Sequence, residues 1–288
     1  MSTLAAKLGL VVLSGAAALA ITAIGQGLWG LMVVANLKLT PALPWAAVLM
    51  PMVLAALVAF LAGHGWPRWG AAARRGLLPL GPVSARAWAW SLIAGAAGVF
   101  AAAALWTVMA SIVRVPPNAL PDMRGVPALT LGAFLVVSVI AAPLTEEVAF
   151  RGYAMGLLRR RFSPAAALVI TSALFAAAHL TQGLYAPKLL VYFLAGLVFG
   201  LVALRTGSLL PAMVVHALAD LVFFTLVWPN DARRRLIGEG GSADSVLAGL
   251  VVMAVCLPLC AYAFVRLGRA TRTPILVPGA APAVLASA

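Results

Sequence analysis

Long apolar runs divide this sequence, and they constrain its fold more than any other feature. A helix rises 1.5 Å per residue, so about 20 residues cross the roughly 30 Å hydrocarbon core of a bilayer, and runs near that length read as spanning segments. The sequence has eight: Leu8 to Ala35, Pro44 to Leu61, Ala87 to Val113, Ala128 to Phe150, Pro164 to Leu180, Leu189 to Leu204, Leu209 to Trp228, and Val246 to Val265. The fifth and sixth are the shortest. Composition agrees, because 64% of the 288 residues are hydrophobic and 9% charged, against about 25% charged in a soluble domain. That leaves too little polar surface to cover a water-facing body, which excludes a soluble enzyme. The expected fold is all-α, a polytopic integral membrane protein. Lys7 followed by an apolar stretch has the outline of a signal peptide, but the run continues to Ala35 without a polar cleavage region. It reads as a retained first span.

The twenty basic and seven acidic residues give a net charge of +13. The basic residues lie between apolar runs and form no single stripe, so they suggest anchoring at a membrane leaflet and not a nucleic-acid partner. With Arg151 set aside, twelve Lys and Arg fall on the side of the termini and seven on the other, Lys188 counted in the loop before the sixth run. Both termini are therefore expected in the cytoplasm, in a multi-pass protein of the cell membrane. Arg233, Arg234 and Arg235 run against that count. Cys256 and Cys260 sit four apart in an apolar run and read as core thiols without a disulfide. Trp66 and Trp69 beside Arg68, Arg74 and Arg75 suit a membrane-anchored loop.

Against this background the polar residues inside spans stand out. Asp122, Asp231, Glu239 and Asp244 fall outside the runs, whereas Glu146 and Glu147 end the fourth and Asp220 lies in the seventh. His179 and His216 lie in the fifth and seventh. Each such group costs at least about 2.5–3.5 kcal/mol to insert, so five together predict an intramembrane site. Counted from one membrane face, with the fourth helix continued to Arg159, Glu146, His179 and Asp220 lie at depths of about 20, 22 and 18 Å. These agree to within a turn. Glu147 and Arg151, four residues apart, can pair on one helix face and leave Glu146 available as a general base. His216 and Asp220 are also four apart, so the carboxylate can hold one imidazole nitrogen and direct the other inward. Pro143 and Pro211 predict breaks in the helix ladder near both segments. Gly196 and Gly200 form a GxxxG expected to serve helix packing, and Phe175 is expected to pack.

These residues fall into three ordered motifs: Glu146-Glu147-Val148-Ala149-Phe150-Arg151 as EExxxR, Phe175 to His179 as FxxxH, and His216 to Asp220 as HxxxN/D. In this the chain resembles the CPBP family of intramembrane proteases, also called the Abi or CAAX protease family. The resemblance implies that Glu146 and His179 activate a water for attack on a peptide bond. His216 and Asp220 would stabilise the oxyanion or hold a cation, and Glu147 with Arg151 would hold the site in shape. It leaves open a Zn2+ cofactor, because Glu146, His179 and His216 resemble a catalytic zinc shell although the HExxH spacing is absent. The expected division is N-terminal transmembrane helices over 1–127, a catalytic core over 128–226, a C-terminal transmembrane helix over 227–270 and a disordered tail over 271–288.

The function expected is that of an intramembrane endopeptidase whose partners are membrane lipid and a peptide or protein substrate. Two other classes use similar residues: a non-catalytic scaffold or bacteriocin-immunity-type protein, and a proton-coupled transporter. The transporter reading lacks a second, corresponding set of residues in the other half of the chain. Serine-type intramembrane proteolysis fares worse, because Ser172 and Ser208 have no nucleophile-elbow setting near a histidine.

Overall fold

The computed structural model describes residues 3–114, 123, 125–231 and 234–271. The expected tail from 272 onward, Asp122 and Arg233 lie outside the described residues. Among those described, seven helices are long and apolar enough to cross a membrane: Leu4–Leu39, Ala85–Ile112, Ala128–Leu158, Pro164–Thr181, Ala186–Thr206, Leu210–Asp231 and Asp244–Ala270. An eighth apolar helix, Trp45–Leu61, has 17 residues and is the second in chain order. The protein is an all-α, multi-pass membrane protein, and each expected span corresponds to one of these helices. Most run longer than the apolar pattern alone, because helix continues into polar flanks where backbone groups still need partners.

Lipid-facing rows of leucine and valine, including Val12, Leu31, Val48, Leu129 and Leu247, are largely exposed, as expected where the surrounding solvent is hydrocarbon. The inner faces meet around a main core that includes Val148, Phe150, Phe175, Phe199, Val202 and Val215, with a second cluster of Trp29, Val33, Met50, Leu54 and Phe134 beside it. The third helix (Ala85–Ile112) lies centrally, packed against the sixth, seventh and eighth, while the fifth packs on the sixth. Small residues set these approaches. A Cβ on Gly95 would stand 2.3 Å from Val215 Cγ2, and one on Gly200 would stand 2.4 Å from Leu168 Cδ1. The GxxxG of the sixth helix thus serves packing, as expected, against the fifth.

Among the described residues three stretches widen from α-helix to π-helix. Ala23–Gly27, Glu147–Ala154 and Phe223–Val227 are π-helical, the wider turn that recurs at functional sites. Neither proline breaks its helix as the sequence suggested. Pro143 is carried inside a continuous helix, and Pro211 occupies the first turn of its own, where a missing N–H costs nothing. The polar loops hold the bundle ends. Tyr153 donates to the Leu61 carbonyl at 2.9 Å, Leu209 N–H donates to Pro79 O at 2.8 Å, and Arg74 donates to the carbonyls of Phe60, Pro67 and His64. Trp66 and Trp69 stand exposed beside that arginine cluster. Cys256 and Cys260 are unpaired thiols but only half-buried, so they are not core residues.

The contact between the third and seventh helices predicts a measurable cost. Gly95→Val forces side-chain atoms into space held by Val215, an overpacking worth about 1–3 kcal/mol. Purified Gly95→Val protein should unfold at a lower temperature than wild type in the same detergent, and Val215→Ala in the same chain should recover part of the loss.

Candidate active site

The site is assembled around Glu147. Its helix passes from α to π register at this residue, and the side chain is completely buried. Arg151 Nη1 donates to Glu147 Oε1 at 3.0 Å, and the other terminal nitrogen donates to the Gly196 carbonyl at 3.1 Å. A Cβ on Gly196 would stand 3.1 Å from Ser172, and this tight approach of the fifth and sixth helices brings that carbonyl inward. The guanidinium also lies over the Phe175 ring, 4.5 Å from its centroid, a cation–π contact that strengthens when water is excluded. The expected Glu147–Arg151 pair is therefore present, and it joins three helices.

His216 completes the arrangement differently from the sequence reading. Its Nδ1–H donates to Glu147 Oε1 at 2.8 Å, so Glu147 and not Asp220 fixes the ring. Asp220 Oδ1 lies 3.8 Å from His216 Nε2 and Glu146 Oε2 lies 3.5 Å from the same nitrogen. The four-residue spacing within one helix brought Asp220 near, but the fourth helix packs closer and supplies the better acceptor. The ring is stacked on Phe199 at 4.3 Å, which further restricts its rotation.

His179 ends the α-helical part of the fifth helix and begins a 3-10 turn. Its Nδ1–H donates to the Phe175 carbonyl at 2.8 Å, which leaves Nε2 as the nitrogen with an available lone pair. The ring stacks on Tyr192 at 3.7 Å. Phe175 packs edge-on against Phe150, His179, Phe199 and His216. It is packing, as expected, and it is also the wall that separates the two histidines.

Glu146 faces a cavity of about 210 Å³ shared with His179, His216 and Asp220. Its Oε1 accepts a hydrogen bond from Gln26 Nε2 of the first helix, a partner that motif spacing did not reveal. Gly25 makes this possible, since any Cβ there would stand 2.2 Å from Thr145 Cγ2. A glutamine in a run whose other polar side chains are the hydroxyls of Ser14 and Thr22 was the available signal. Two further residues lie differently from their sequence reading. Lys188 belongs to the first turn of the sixth helix, is 6% exposed and lines the cavity. Asp231 ends the seventh helix, where it accepts from Trp106 Nε1 at 2.9 Å and pairs with Arg234 at 3.1 Å.

The six expected residues thus gather in one place, and the depth count that continued the fourth helix to Arg159 matches a helix running to Leu158. Among the described residues no group of three or more His, Cys, Asp or Glu is gathered as a metal-binding set. Nδ1 of each histidine is engaged by a protein acceptor, and only carboxylates approach Nε2 of His216. The chemistry the arrangement offers is that of a carboxylate base, imidazole donors and an apolar enclosure.

A polytopic membrane bundle with paired glutamates and two histidines at one buried cavity defines an intramembrane carboxylate–imidazole site. Residues 128–222 match the model of the Type II CAAX prenyl endopeptidase Rce1-like family, and that stretch holds all three motifs. No curated protein and no solved structure matches the chain.

The buried pair gives a stability prediction. Arg151→Met leaves the Glu147 carboxylate without its cation, a loss of about 3–5 kcal/mol, read as a marked fall in the apparent melting temperature. Glu147→Gln combined with Arg151→Met should cost less than the two single losses summed, because the second substitution removes the charge that the first had stranded.

Proposed function

We propose that the protein is an intramembrane endopeptidase in which Glu146 and His179 activate a water for hydrolysis of a peptide bond in a membrane-associated peptide or protein. The observation that carries this reading is the shared cavity. Glu146, oriented by Gln26 and bordered by His216, faces the same enclosed space as His179. A water between them gives a proton to Glu146 while its oxygen adds to the scissile carbonyl carbon, and the carbonyl π pair moves onto oxygen. His179 Nε2, whose partner nitrogen is held by the Phe175 carbonyl, orients that water. His216, carrying a proton on both ring nitrogens, donates through Nδ1 to Glu147 and holds Nε2–H where a donor stabilises the oxyanion, with Asp220 beside it. Collapse breaks the C–N bond, and the proton held on Glu146 passes to the leaving nitrogen. Glu147 and Arg151 hold His216 and the surrounding helices in place.

The walls support a substrate that enters from an apolar medium. Val191, Ala195, Val198 and Phe223 line the cavity with few polar groups, and closure in hydrocarbon strengthens each electrostatic contact inside. The positions of the basic residues in the loops support an orientation with both termini cytoplasmic.

Cleavage is tested with purified full-length protein in lipid vesicles, supplied with a farnesylated peptide ending in Cys-Val-Ile-Ser and with a mixed membrane-peptide library. Wild type should cut, while Glu146→Ala and His179→Ala should lose at least about a hundredfold in rate, within the range of general acid–base contributions, and keep a monodisperse folded state. Normal cutting by both variants overturns the proposal. Gln26→Ala should lower kcat about tenfold with little change in KM, as expected when one hydrogen bond positioning the base is removed. Because among the described residues no three His, Cys, Asp or Glu are gathered as a zinc shell would require, cleavage should survive a chelator that strips Zn2+, and metal analysis of the same preparation checks this.

A further inference from the structure

The sixth helix holds none of the three motifs, yet one of its faces meets both histidines of the site. Tyr192 stacks on His179 with ring centroids 3.7 Å apart and planes 23° from parallel, and Phe199 stacks on His216 at 4.3 Å and 19°. The two aromatic residues are seven positions apart. With about 3.6 residues per turn, that spacing returns to within about 20° of the same face, about 10 Å further along the axis. Gly196 lies between them on that face, and a Cβ there would stand 3.1 Å from Ser172. A side chain at this position would push back the fifth helix, the one that carries His179.

Each imidazole is held through Nδ1 by a hydrogen bond, His179 to the Phe175 carbonyl and His216 to Glu147 Oε1, both at 2.8 Å. Such a bond fixes one point of the ring and leaves the plane free to tilt about it, since it weakens steeply only when bent past about 60° from linear. A parallel ring in contact restrains the tilt, because tilting separates the stacked faces on one side and forces atoms together on the other. Phe175 approaches the same two imidazoles at 60° and 76°, so it limits their travel without setting their planes. With Nδ1 bonded and the plane held, the direction of Nε2 is determined. Nε2 is the atom through which each histidine acts in the reaction above, and such a group has to stay within about 10–20° of its working direction.

We propose that Tyr192 and Phe199 are positioning residues: their rings set the planes of His179 and His216, and so aim one Nε2 at the water and the other at the oxyanion. The consequence for rate rests on the endopeptidase reading, whereas the restraint on the imidazoles does not. Both rings also line the cavity, and a wall that only touches substrate is the alternative to be separated.

Kinetics are compared for full-length wild type, Tyr192→Leu, Tyr192→Phe and Phe199→Leu in lipid vesicles, on a library peptide that wild type cuts. Tyr192→Leu keeps an apolar side chain and removes the plane, so kcat should fall about ten- to a hundredfold, the scale of a small misplacement at a catalytic group, with KM within about threefold. Tyr192→Phe keeps the ring and should stay within about threefold of wild type in kcat. A loss confined to KM makes Tyr192 a substrate wall and overturns the proposal. Equal losses in Tyr192→Phe and Tyr192→Leu assign the effect to the hydroxyl and overturn it too. Phe199→Leu should act through His216 in the same way; its ring also lies 5.4 Å from the Arg151 guanidinium, so if this variant does not fold the Tyr192 pair decides. The imidazoles are read without activity by NMR of protein carrying isotope-labelled histidine, of which the chain has three, His64, His179 and His216. Loss of a stacked ring removes its ring current, so Tyr192→Leu should move the His179 signals and leave those of His64 and His216 in place, and Phe199→Leu should move those of His216. Signals that do not move overturn the proposal. If they move as expected while wild type cuts no peptide, the endopeptidase reading fails and the restraint stands.

Discussion

The structure depends on one buried carboxylate. Glu147 has no exposure, and the same oxygen accepts from Arg151 and from His216. In hydrocarbon a stranded charge of either sign would be far more costly than in water, so the fourth, sixth and seventh helices are tied together by the requirement that these groups meet. The apolar faces alone do not impose such a choice, since lipid competes equally well for leucine and valine. The network supplies orientation that hydrophobic burial in a membrane cannot, and it does so beside the groups that face the cavity.

Close backbone approach is the second element of the design. Gly25, Gly95, Gly196 and Gly200 stand at positions where an added methyl group would meet a neighbouring side chain. Each lies where a helix is drawn toward the site: the first helix against Thr145, the third against Val215, and the sixth against Ser172 and Leu168. The three π-helical stretches contribute to the same region. Gln26, the EExxxR segment and Phe223 all belong to or adjoin them. A wider turn shifts the following side chains around the helix axis and lets neighbouring residues serve different partners, as Glu146 and Glu147 do.

The spans and the gathering of the six polar residues were legible in the sequence because both leave strong local signals. Apolar length reveals a spanning helix, and an ionisable residue within such a run is conspicuous. The six residues from Glu146 to Asp220 were found by that contrast and by motif order. Partner choice was less legible. His216 was read with Asp220 because four-residue spacing is visible along one helix, whereas its contact with Glu147 crosses between helices 69 positions apart. Pro211 was read as a break because its place in the first turn depends on where the helix starts, and apolar patterns do not mark starts. Lys188 was counted as a loop cation for a similar reason, since helix continued three residues beyond the apolar run. Gln26 carried a signal only in retrospect, as one amide in a greasy segment.

That amide also bears on how the molecule is made. Gln26 and Glu146 are 120 positions apart, and the last titratable residue of the cavity, Asp220, follows 74 positions later. Chains are synthesised from the N-terminus, with early segments available before later ones exist. The first helix enters the bilayer carrying a polar group with no carboxylate yet to meet, and the cavity closes only after the seventh has inserted. A half-made chain therefore lacks the cavity, and its polar residues come together as a single late event of assembly inside the membrane.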